Sequence, residues 1–127
     1  MQEVYICRNL KWFFMISLNS AKPALEFVLG LNTKMRAKMF RTIEMLEKNG
    51  NKLREPASKP LGDGIMELRA KVGTDISRVL YFFVVGRKVV LTHGFVKKTQ
   101  KTPPEEIDLA KRYRAEYMSR KESDKDE

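Results

Sequence analysis

A chain of 127 residues with 43% hydrophobic and 32% charged residues has the make-up of one soluble globular domain. That composition excludes a collagen-like, mucin-like or wholly disordered protein. Twenty-five Lys and Arg against sixteen Asp and Glu leave a formal net charge of +9, a field that draws in nucleic acid, an anionic membrane or an acidic protein. Cys7 and His93 each stand alone, so a disulfide framework and a four-ligand zinc site are both excluded. Cys7 lies in an apolar stretch and reads as a small buried thiol rather than a nucleophile.

The first 18 residues read as extended structure, with Val4, Ile6, Trp12, Phe14 and Ile16 in partial alternation. The apolar run Trp12 to Leu18 imitates a weak signal peptide but falls short of the roughly 20 residues that span a bilayer, so no membrane partner and a cytoplasmic location are expected. Ser20 opens a helix with Pro23 in its first turn and Leu25, Val28 and Leu29 as its stripe, ending near Gly30. Asn32 or Thr33 caps a second helix, in which Met35, Met39, Ile43 and Leu46 form the buried face and Lys34, Arg36, Lys38 and Arg41 the wet one. Asn49-Gly50 ends it.

Residues 51–63, with Pro56, Pro60 and Gly62, read as a turn-rich basic connection. The period then changes to two: Met66, Leu68, Ala70 and Val72 alternate with Glu67, Arg69 and Lys71, whose face is expected to meet water or a ligand. A turn at Gly73-Thr74-Asp75 leads into the apolar central strand Ser77 to Val85, interrupted by Arg78. Gly86-Arg87 makes a hairpin into Lys88 to Val96. Thr102 caps a closing helix whose first turn holds Pro103, Pro104, Glu105 and Glu106. Residues 1–118 thus form a single domain, and 119–127 a disordered tail. The fold class is α+β: an antiparallel sheet with a two-helix hairpin on one face and a C-terminal helix.

Arg69 and Arg78 fall on neighbouring strands near one turn, where two like charges repel unless an anion joins them. A phosphate suits such a pair, because guanidinium forks onto phosphate oxygens. The rival reading pairs Arg69 with Glu67 or another acid across strands and leaves Lys97, Lys98 and Lys101 as solubility residues on a solvated loop. His93 is either a hydrogen-bonded packing residue or a proton acceptor. Phe95 lies near the lysines and is a candidate for stacking on a base. With Glu67 the only carboxylate near the basic cluster, neither paired-carboxylate hydrolysis nor a metal site is expected, and no cofactor.

The segments Leu46-Glu47-Lys48-Asn49-Gly50, Lys59 to Arg69, Arg78-Val79-Leu80-Tyr81-Phe82-Phe83 and His93 to Pro103, in that order and spacing, carry a family likeness over about Lys22 to Tyr117. The chain resembles the HigB-like toxins of type II toxin–antitoxin systems, in the RelE/ParE superfamily and its phage-derived branch. The resemblance implies a small microbial-ribonuclease-like fold and a metal-independent endoribonuclease, an mRNA interferase that cuts messenger on the ribosome and inhibits translation. It implies a helix-turn-helix antitoxin as partner, the complex repressing its own operon through that antitoxin. Carried over residue by residue, Arg69 and Arg78 match the family's arginines on the sheet, and Lys97 with Lys98 match its basic residues after the last strand. Chemistry makes Lys97 or Lys98, a lysine amid other cations, the candidate proton acceptor with His93 as the other, so Arg69, Arg78, Lys97 and His93 are the expected catalytic residues and Lys98, Lys101, Phe95 and Lys71 the expected RNA contacts. RelE has lysines where Ile65 and Glu67 stand here, and its tyrosine of the last segment has no counterpart near Ile107. A ParE-like block of DNA gyrase and a plain nucleic-acid-binding module are the alternatives.

Overall fold

A computed structural model of the chain describes residues 3–4, 11–14, 22–84, 88–96 and 101–125. In chain order these form strands β1 (Glu3–Val4) and β2 (Lys11–Phe14), helices α1 (Pro23–Leu29) and α2 (Thr33–Asn49), strands β3 (Ser58–Gly62), β4 (Ile65–Val72), β5 (Asp75–Val84) and β6 (Lys88–Val96), and helix α3 (Pro104–Lys125). The sheet order is β1-β2-β6-β5-β4-β3. β3 to β6 run antiparallel as a meander, whereas β2 joins β6 in parallel, Trp12 opposite Val89. The α+β class and its three helices are as expected. Among the described residues no helix is long and apolar enough to cross a membrane.

Helices cover both faces of the sheet. On one face Ala24 and Val28 of α1 and Met35, Met39, Ile43 and Leu46 of α2 pack on Leu68, Ala70, Val79, Tyr81, Val89 and Leu91. This is the α2 stripe that the four- and three-residue spacing predicts, and the Asn32 side chain caps the helix by accepting from the Met35 amide at 2.9 Å. The stripe predicted for α1 differs: Ala24 and Val28 are buried, but Leu29 is 53% exposed, because a helix this short turns only one edge to the sheet. Ser20 and the hairpin at 85–87 lie outside the described residues. α1 reaches the sheet at a glycine: a Cβ on Gly94 would sit 2.2 Å from the Phe27 ring. The opposite face holds a smaller core, in which Ala110 and Tyr117 of α3 pack on Ile65, Leu80, Phe82, Val90 and Phe95.

Three other expectations need correction. The supposed connection 51–63 contains strand β3, with Pro60 in it. β3 is the edge of the sheet, where a residue without an N–H costs nothing on the open side, and the register shifts between Pro60 and Gly62. α3 starts at Pro104, which puts Pro103 rather than Thr102 at the cap position, and the Thr102 hydroxyl donates to Glu67. The helix continues to Lys125 through most of the segment expected to fray, a stretch rich in Arg, Lys and Glu that includes an Arg120–Glu116 pair at 3.6 Å.

Candidate nucleic-acid interface

The turn between β4 and β5, with Gly73 at φ 62°, sets Arg69 directly opposite Arg78. Both side chains lie on the α3 face, as does Glu67 two residues before Arg69. Glu67 is the hub. Its Oε1 takes the Arg69 Nε at 2.5 Å, its Oε2 faces the Arg78 Nε at 3.9 Å, and Oε2 also accepts the Thr102 hydroxyl. Arg78 and Glu67 are wholly buried and the Arg69 side chain is 19% exposed. The charged face of β4 therefore does not open to water at Glu67, because the segment leading into α3 covers it. Burial holds the Arg78 guanidinium below its usual value, Glu67 opposing and Arg69 reinforcing that shift.

The start of α3 is fastened over this cluster at three points. Thr102 bonds Glu67, the His93 Nε2 meets Glu106 Oε1 at 3.0 Å, and the Lys111 ammonium meets Asp63 Oδ2 at 2.8 Å while Arg114 donates to the Asp63 carbonyl. His93 is 5% exposed, with Nδ1 3.2 Å from the Thr92 hydroxyl and its ring beside those of Phe95 and Tyr113. Burial pushes its pKa below the ordinary 6.5, against the pull of Glu106.

Of the site residues read from the sequence, the structure brings together Arg69 and Arg78, and sets His93 and Phe95 next to one another on β6, with Phe95 opposite Arg78. Phe95 is buried under α3, its ring stacked on His93 rather than open to a base. Lys71 and Lys101 are exposed. Lys97 and Lys98 lie outside the described residues. On the wet side of α2, Lys34, Lys38 and Arg41 are exposed as their spacing predicts. Among the described residues no three His, Cys, Asp or Glu side chains gather as metal ligands. The Arg69–Glu67 pair of the rival reading is present. Sequence reasoning missed that Glu67 also meets Arg78 and Thr102, and that Glu106 pairs with His93. The position of Glu67 two residues from Arg69, on the same side of a strand, was the available signal.

The two arginines are thus compensated by a single buried carboxylate beneath the segment that leads into α3. No curated protein matches the chain. The family model described as phage derived protein Gp49-like (DUF891) matches residues 26–115, which include α2, the whole meander and the first half of α3. The chain belongs to this Gp49-like family of phage-derived proteins, a RelE/HigB-like toxin family.

Proposed function

We propose that the protein is the toxin of a type II toxin–antitoxin pair and an endoribonuclease that cuts messenger RNA on the ribosome, halting translation in the cytoplasm. The observation that carries this reading is the Arg69–Arg78 register pair, two forked cations brought to one point on a sheet face. RNA carries its own nucleophile. The 2′-hydroxyl attacks the adjacent phosphorus, the bond to the 5′-oxygen breaks, and a 2′,3′-cyclic phosphate and a 5′-hydroxyl result. The protein has only to align the strand, hold the doubly charged phosphorane and move two protons. Arg69 and Arg78 bind the phosphate oxygens. Lys97 or His93 accepts the 2′-proton, a role that a lysine among other cations suits because its charged form is disfavoured there. Lys98, Lys101 and Lys71 hold the flanking backbone.

Arg78 meets a phosphate only when the Thr102–Glu67 and His93–Glu106 contacts let go, so substrate entry requires the start of α3 to lift. A cognate helix-turn-helix antitoxin with an acidic segment silences the toxin by covering the basic surface, and the pair represses its own operon through the antitoxin.

One observation favours a second reading. The carboxylate that steadies both arginines already supplies an anion, as a non-catalytic, ParE-like inhibitor of DNA gyrase would tolerate. Adding the purified chain to a translating extract separates the two. Loss of full-length messenger with new 5′-hydroxyl ends supports cleavage, whereas intact messenger together with blocked gyrase supercoiling supports the second reading. Co-expression with the neighbouring helix-turn-helix gene is expected to restore growth and to yield a co-purifying complex.

A further inference from the structure

β3 begins at Ser58, opposite Leu68, so the last part of β4 is paired with β5 on one side but has no strand on its outer side, where the Ala57 carbonyl accepts from the Arg69 amide at 2.8 Å. The chain between α2 and β3 swings outward there and leaves a cavity of about 560 Å³ between the flank of α2, the 53–57 loop and the edge of β4. That volume lies within the range of small-ligand pockets, roughly 300 to 1,000 Å³. Its lining divides by chemistry. Met45, Leu53, Pro56 and Ile76 supply an apolar floor, and the buried Thr42 hydroxyl stands among them. Lys38, Arg54 and Lys71 supply three cations against the one carboxylate of Glu55, while Arg69, also in the lining, is held by Glu67. Lys38, Arg54 and Lys71 are exposed at the rim, and the Arg54 guanidinium is fixed by its bonds to the Asn51 and Leu53 carbonyls at 2.7 and 3.4 Å.

We propose that this cavity takes one unpaired nucleotide of an RNA strand, with its base against Met45, Leu53 and Ile76 and its phosphates on the rim cations. The proposal rests on the RNA-cleaving reading above and deepens it by placing a base-binding subsite. Charge complementarity favours an occupant that is apolar at the centre and anionic at both ends, which describes a nucleotide within a strand. A guanidinium plane held by two carbonyls, as in Arg54, is a stacking surface for any base. Arg69 is the link: it lies in the cavity lining at the edge of β4 while its guanidinium meets Glu67 on the α3 face opposite Arg78, so in this proposal the strand passes from the cavity over the β4 edge to the arginine pair. Lys38 and Met45 thereby gain a role that helix packing alone does not give them, and Lys71 becomes a contact to a particular nucleotide.

The test uses the full chain and a five-nucleotide 2′-O-methyl RNA, which cannot be cleaved, with each position in turn made abasic and affinity read by fluorescence anisotropy. One abasic position is expected to weaken binding about tenfold, the scale of losing a single stacked base. In M45E, where a carboxylate enters the apolar floor, that penalty should vanish while the penalties at other positions stay as they were. Met45 is 45% exposed, so the variant should fold. K38A/K71A should weaken every oligonucleotide alike and flatten the salt dependence. The proposal is overturned if the intact oligonucleotide does not bind, if no abasic position costs more than twofold, or if M45E keeps the penalty. It is also overturned if an acidic, leucine-containing peptide fills the cavity and RNA fails to displace it, which would make this an antitoxin groove. Because the probe cannot be cut, its result is independent of cleavage. A chain that shows the abasic penalty but leaves messenger intact retains the subsite and loses the nuclease, and a chain that cuts messenger without the penalty does the reverse.

Discussion

Glu67 and Arg78, on adjacent strands and both without solvent exposure, face each other at 3.9 Å with Arg69 on the other carboxylate oxygen at 2.5 Å. Two guanidinium groups in cross-strand register repel, and the carboxylate between them is what makes the arrangement compatible with a folded sheet. Glu67→Gln keeps the shape and the Thr102 contact but removes the charge. It should cost about 3 kcal/mol, the scale of breaking a buried ion pair by deleting one partner. Urea unfolding at neutral pH measures this, and a loss below about 1 kcal/mol would show that the arginines do not need the carboxylate.

Gly94 owes its identity to Phe27. With a Cβ at that position only 2.2 Å from the ring, Gly94→Ala must displace α1 or tilt the ring, and should destabilise by about 1 to 3 kcal/mol. Phe27→Leu in the same chain should return part of that loss, so the double variant should lie well above the sum of the two singles in stability. Strict additivity by urea denaturation would show that the two residues do not meet.

His93 gives the stability a pH dependence of known sign. Burial keeps its folded pKa below the usual 6.5, so on acidification the unfolded chain takes up a proton before the folded one does. The contribution is fully present above about pH 6.5 and is lost as pH falls towards the folded value. Unfolding midpoints between about pH 8 and 5 should fall on the acid side more steeply for the wild type than for His93→Gln. A wild-type curve that rises over the same interval, and flattens in His93→Gln, would mean that the ion pair with Glu106 outweighs burial.

RNA binding should weaken steeply with salt. Lys34, Lys38 and Arg41 on α2, with Lys71 and Lys101, offer five exposed cations, and each phosphate contact on a single strand adds roughly 0.7 to the slope of log affinity against log salt. A slope of about −3.5 is expected from titrations of a non-cleavable oligonucleotide between low and moderate salt. A slope near zero would remove the electrostatic basis of the interface.

The local signals in the sequence proved legible where one element decides its own structure. Asn32 caps α2, Met35, Met39, Ile43 and Leu46 bury in a stripe, and Arg69 meets Arg78 because the period-2 pattern and the Gly73 turn leave one register. What sequence reading lost depended on distant partners. Glu67 sits on a polar-looking strand face and is nonetheless buried, because Thr102 and α3, some 35 residues on, close over it. Pro60 argued against a strand, yet an edge position imposes no demand for its missing N–H. The cavity beside β4 has no local pattern at all. It arises just before β3 begins, and its cations come from α2, the 53–57 loop and β4 together.

The central claim is that Arg78 holds the scissile phosphate as its charge builds, and Arg78→Lys tests it most directly. Lysine keeps a positive charge beside the buried Glu67, so the variant should fold and still bind antitoxin, which near-wild-type unfolding and co-purification verify. Its ammonium cannot reproduce the planar fork, and messenger cleavage in a translating extract should fall about 100-fold, the scale of removing one oxyanion donor. Oligonucleotide affinity should change far less than rate, because Arg69, Lys71 and Lys101 remain. A folded Arg78→Lys protein that cuts messenger at close to the wild-type rate would contradict the assignment.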